Sequence, residues 1–207
     1  SAYVVVQATP GRRLEVEEGT AAVGDGGFSF GAGNVAYGYT DTARRLGVED
    51  NSSPSGTSQW SFMAGKDNTL RGADTAVAMG AKNTVDGQSA VAIGYENTAK
   101  GESSVSMGSN NTAMLAGAVA MGKNNRAEGE ESVAMWGDNT AIQNGAVAIG
   151  KHNTASGSMS VAMGYGNTAS GEKSVTLGSG NVAHGYNSVA MGRENVIGSE
   201  AHPVKDA

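Results

Sequence analysis

Three histidines, His152, His184 and His202, are the side chains of this 207-residue chain best suited to acid–base or metal chemistry. None has a partner at metal-ligand spacing. Asp and Glu sit mainly at turn and outer positions, such as Glu96, Glu172 and Glu194. A calcium-binding roll needs a nine-residue Gly-Asp repeat, which is absent. Ser is everywhere and serves structure, so no Ser-His-Asp nucleophile stands out. There is no Cys, which fits a reduced compartment and equally an exported chain that must cross a narrow pore unfolded. The spacing assembles no catalytic, cofactor or metal site, and the chain is expected not to be an enzyme.

The composition says what must replace such a site. The chain has 32 Gly, 3 Pro and 5% aromatic residues, and its 39% apolar content is largely Ala and Val. An ordinary globular chain carries about 7% Gly. Without bulky Leu and Phe, the chain must fold around a thin interior of small residues or stay disordered. The net charge of −6 argues against nucleic acid as a partner, because a phosphate-binding surface needs clustered Lys and Arg. Apolar runs of a few residues cannot span a bilayer.

Order follows from an internal repeat. From Ala76 the chain divides into nine consecutive units of 14 residues, for example Ser160 to Lys173. Column two is Val throughout: Val77, Val91, Val105, Val119, Val133, Val147, Val161, Val175 and Val189. Column four is long and aliphatic: Met79, Ile93, Met107, Met121, Met135, Ile149, Met163, Leu177 and Met191. Column eight is always Asn: Asn83, Asn97, Asn111, Asn125, Asn139, Asn153, Asn167, Asn181 and Asn195. Column five is Gly except at Trp136. Two less regular units precede these, at 27–40 and from Ser61. The expected organisation is a non-repeat segment 1–26, a head 27–198 with an insertion at 41–59 and coils at 61–198, and a tail 199–207 that starts a neck.

Within a unit, Val and Met alternate with small residues, the period-two signature of a strand. Gly opens a turn, and Asn closes it through its tolerance of the left-handed region. A second short strand follows, and another Gly returns the chain. Each unit is then one coil of two strands and two turns. Stacked in parallel at about 4.8 Å, nine coils rise about 43 Å. The connections are too short for crossover helices, leaving a parallel β-solenoid. The Val and Met columns are expected to form the interior and Asn the turns. Column three, small at Ala78, Ala92, Ala120, Ala134, Ala148, Ala162 and Ala190, is expected to face outwards as a close subunit interface.

The unit Ser-Val-Ala-Met/Ile-Gly-x-x-Asn-Thr-Ala-x-Gly resembles the head repeat of trimeric autotransporter adhesins of the YadA-like type, continuously over 61–198 and more loosely over 27–40. The resemblance implies an all-β, left-handed parallel β-roll of 14-residue coils that assembles as a homotrimer on the outer membrane of a Gram-negative bacterium. It also implies attachment to host cells or to matrix proteins of the collagen, fibronectin and laminin class. The family's heptad stalk and membrane-anchor barrel have no counterpart in this sequence, so any membrane link is expected through an anchor domain outside it. No cofactor is implied.

The departures from the repeat are the expected ligand contacts: Arg44, Arg45 and Trp60 in or beside the insertion, and Met114, Trp136 and Ile142 among the regular coils. Loops longer than about 12–15 residues are either functional or disordered, and an outward apolar cluster marks either a contact site or local repacking. Two other functions fit less well. An ice-binding face needs unbroken Thr ranks, and column nine is interrupted by Arg126, Val182 and Val196. Hexapeptide acyltransferases have a period near 18 and a catalytic cleft His. A head that acts only as a spacer is the remaining alternative.

Overall fold

The computed structural model describes residues 61–71 and 75–198, together with the backbone of 28–30 and 35–37. Each regular coil supplies one long strand, such as Val147–Lys151, and one short strand, such as Thr154–Ala155. The long strands form an 11-stranded parallel sheet in chain order, and the short strands form a second of the same size. The chain is thus an all-β solenoid. Register is one repeat per step: Val147 pairs with Val161, Ala148 with Ala162, Ile149 with Met163.

The unit from Ser61 has one additional residue, since Phe62 pairs with Val77 and Ser61 bonds to Ala76 across a 15-residue separation. Before it, Phe28–Phe30 pairs directly with Phe62–Ala64. The N-terminal segment 1–26, the insertion 41–59 and the tail 199–207 lie outside the described residues.

Which face of the long strand is inner differs from the sequence expectation. Ala78, Ala92, Ala120, Ala134, Ala148, Ala162 and Ala190, expected at a subunit interface, are fully buried within a single chain. So are the column-one residues from Ala76 to Ser174, and column ten from Val85 to Ala183. The expected interior faces outwards. Val77, Val91, Ile93, Val105, Met107, Val119, Met121, Val133, Met135, Val147, Ile149, Val161, Val175 and Leu177 are only half-buried. Met79, Met163, Val189 and Met191 are exposed, Met191 at 61%.

The reason is width. Each coil closes through two tight turns, so columns three and ten, one in each sheet, meet across a narrow gap that Ala mostly fills, with Met63, Leu70 and Val85 as the larger buried side chains of the first coils. A continuous Val or Met column through the regular coils would overpack it. Alternation reveals two faces, and bulk was a poor guide to which one is inside.

An Ala core contributes less than the roughly 1.5–3 kcal/mol gained by burying a Val or Leu side chain. Much of the cohesion falls to the Asn column, fully buried from Asn68 to Asn181. Asn153 shows the pattern. Its backbone N–H and its Nδ2 both donate to Asn139 Oδ1, at 3.0 Å each. The two Nδ2 hydrogens are shared with Ile149 O at 3.0 Å and Gly164 O at 2.8 Å, while Oδ1 accepts from Asn167. The ladder joins each coil to the next and ties the turn to column-four and column-five carbonyls of the long strands.

Asn therefore does more than close a turn, and it is not the left-handed residue. That conformation belongs to column seven, at Lys82, Glu96, Asn110, Asn124, Asp138, His152 and Glu194, with φ between 54° and 61°.

Candidate functional site

Two surface features of the roll can contact something else. The first is the outward face of the long strands, where columns two and four form a continuous apolar strip from Val77 to Met191. Strands place alternate side chains on one face, and in-register stacking lines identical columns up along the axis. Phe62 and Ala64 extend the strip by one coil through their pairing with Val77 and Met79.

The second feature is the edge where long strand turns to short. Columns six and seven carry polar and aromatic side chains that link from coil to coil. Lys82 Nζ lies 3.3 Å from both Tyr95 Oη and Glu96 Oε1. The Tyr95 hydroxyl and then Glu96 hold the Lys82 ammonium above its ordinary value, and Glu96 is held below the usual carboxylate range. Further along, Asn110 Nδ2 donates to Asn124 Oδ1 at 3.3 Å, and Asn124 Nδ2 to Asp138 Oδ1 at 2.9 Å. His152 Nδ1 lies 3.9 Å from Asp138 Oδ2, and its ring meets Tyr165 edge-on with centroids 5.7 Å apart.

Trp136 stands in this edge. It is 75% exposed, the most open large apolar side chain described. It occupies a column that is otherwise Gly, with φ of 88° against 107° to 120° at its eight counterparts. Its carbonyl still accepts from Asn125 Nδ2 at 3.0 Å, so the Asn ladder passes through unbroken.

The other expected contacts separate. Met114 and Ile142 are half-buried just beyond the short strands Thr112–Ala113 and Thr140–Ala141, at the opposite edge from Trp136. The structure does not bring the three together. Beside Met114, Leu115 is 46% exposed, an apolar side chain not among the expected contacts. Its signal was a non-Gly residue in column twelve. Arg44, Arg45 and Trp60 lie outside the described residues.

Of the histidines, His152 and His184 are far apart in the repeat. His184 Nδ1 lies 2.7 Å from Ser170 Oγ. Among the described residues no group of three or more His, Cys, Asp or Glu could hold a metal ion.

A family model described as YadA head domain repeat matches residues 73–97, 86–111, 116–135, 141–167, 155–181 and 169–195, together more than half of the chain. No curated protein matches it. The 14-residue register, the paired strands of each coil and this match agree, and the chain belongs to the YadA head domain repeat family, of the trimeric autotransporter adhesin type.

Proposed function

We propose that this chain is the head of a surface adhesin of a Gram-negative bacterium, a homotrimer that attaches to host cells or extracellular matrix and performs no catalysis. The observation that carries the assembly is the apolar strip. Monomeric soluble proteins rarely expose long continuous apolar patches, and nine coils of outward Val and Met run about 43 Å along the axis. Three rolls packed on these faces bury the strip and leave the polar edges free. A left-handed coil and threefold symmetry accord with the family. The interface is therefore the Val and Met columns, in place of the Ala column expected from size alone.

Adhesion rests on the family and on the form of the scaffold. A rod of identical coils presents repeated copies of one surface, multiplied threefold in a trimer. Linked weak sites can gain about 10²–10⁴ in avidity over one contact. This suits a fibrous matrix ligand of the collagen, fibronectin or laminin class.

Deleting residues 160–187 removes two whole coils, keeps the register and leaves Trp136 and the coils on either side of it in place. Binding of the purified head to immobilised collagen, fibronectin and laminin should fall in proportion to the coils lost. Unchanged binding would place recognition at the irregular positions. Absence of binding by the intact head to these proteins and to host cells would leave it a spacer.

A further inference from the structure

Two departures from the repeat fall side by side in the coil that begins at Ser132. Column five ordinarily bears no side chain because a Cβ there overlaps the carbonyl oxygen of the next coil, as it would at Gly122 and Gly150. Trp136 nevertheless carries the largest side chain there, on a left-handed backbone that disfavours non-Gly residues. Column six ordinarily bears a side chain, and here it is Gly137. Nothing requires glycine at that point. Its φ is not in the left-handed region, and a Cβ would meet only Lys151 Cγ at 3.8 Å. The usual order, as in Gly122-Lys123 and Gly150-Lys151, is inverted to Trp136-Gly137.

The inversion sets an exposed indole beside a stretch of bare backbone. Lys123 and Lys151 pair in register with Gly137 from either side, so a lysine side chain starts on each flank of the gap. Neither lysine's ammonium has an ion-pair or hydrogen-bond partner among the described residues, unlike those of Lys82 and Lys173, which each meet a tyrosine and a carboxylate. The indole N–H likewise has no partner among the described residues. Asp138 is already engaged by Asn124 and by His152. Tyr165 follows Lys151 in the same column.

We propose that Trp136, Gly137, Lys123 and Lys151 form a binding site for an anionic saccharide. The electron-rich indole face takes the C–H face of a pyranose ring. The bare backbone at Gly137 admits the ring's edge, and the two lysines pair with its carboxylate or sulfate. A flat, open aromatic platform suits a rigid ring better than a side chain that needs a socket. A single exposed ion pair is weak, so the stacking surface supplies the specificity and copies of the site in one assembly supply avidity. The site rests on the adhesin reading only in making this saccharide a host ligand.

Titration of the intact purified head with sialyllactose, a heparin-derived tetrasaccharide and neutral lactose, followed by isothermal titration calorimetry for every variant and by tryptophan fluorescence for the parent, tests the site. Sialyllactose and the heparin fragment separate carboxylate from sulfate recognition, and at least one should change the emission while lactose binds more weakly. The double substitution Trp136→Gly with Gly137→Lys restores the regular repeat and should fold; it should weaken binding by at least roughly tenfold. Lys123→Gln with Lys151→Gln should remove the preference over lactose. Unaltered binding by the restored-repeat variant, response to polyglutamate alone, or no response to any saccharide would overturn the site. Shielding of Trp136 from acrylamide quenching in the assembled head would do so too. Host-cell attachment measured in parallel separates the two ideas: attachment with no saccharide binding defeats this site alone, and saccharide binding without attachment defeats the adhesin function alone.

Discussion

Ala148 and Val147 are neighbours on one strand and live in different environments. Ala148 is fully buried inside its own chain, while Val147, the larger and more apolar residue, is half-open to solvent. The same inversion holds along the whole strip, as at Ala134 and Val133 or Ala162 and Val161. In an isolated globular domain the bulkier column would be core. Here the small column closes the roll, and the bulky column stays half-open to solvent. In the proposed assembly, intrachain folding and subunit association use opposite faces of one strand.

The largest effect should come from the interior polar ladder. Asn153→Asp removes the amide that serves Asn139, Ile149 and Gly164 and buries a charge in its place. We expect a loss of about 3 kcal/mol or more, read as a large drop in denaturation midpoint. A melting curve like the parent's would mean that the ladder is incidental.

A smaller loss is expected from the inner apolar column. Ala162→Leu forces extra volume between the sheets and should cost about 1–3 kcal/mol. Met163→Leu, one residue along on the outer face, should cost less than about 1.5 kcal/mol. Equal losses in urea titrations would erase the distinction between the two faces.

The smallest effect marks where the interior is indifferent. Ser160 Oγ is buried without a hydrogen-bond partner among the described residues, and the same column holds Ala146 one coil earlier. Ser160→Ala should change stability by no more than about 0.5 kcal/mol. A cost beyond 1 kcal/mol in differential scanning calorimetry would reveal a hydrogen bond to that hydroxyl.

The coil length, its two strands and the parallel stack were legible because period-two alternation and a strict 14-residue recurrence each have one simple structural translation. The facing of the strand was not. Val147 and Ala148 alternate identically whichever column points in, and the width of the interior depends on both turns and on column ten at once. The Asn column was legible as special but misassigned in role. A left-handed turn position accepts Asn, Asp, Gly and Lys alike, as column seven shows at Asn124, Asp138, Gly166 and Lys82. A column that admits only Asn signals a side chain needed as donor and acceptor together. Trp136 was visible as an irregularity, but the bare backbone of Gly137 beside it and the ammonium groups of Lys123 and Lys151, without partners among the described residues, needed three dimensions.

The central claim is that the bulky face joins subunits and the small face closes each roll. The most direct test compares Val147→Asp with Ala148→Asp by light scattering and circular dichroism on the same preparations. The Val147→Asp head should keep its β-sheet spectrum and fall from three times the chain mass towards 20.8 kDa, because the charge stands on the outer face. Ala148→Asp should lose the spectrum, because an unpaired carboxylate cannot be accommodated between the sheets. A folded monomer from Ala148→Asp together with an unfolded chain from Val147→Asp would reverse the two faces and contradict the account.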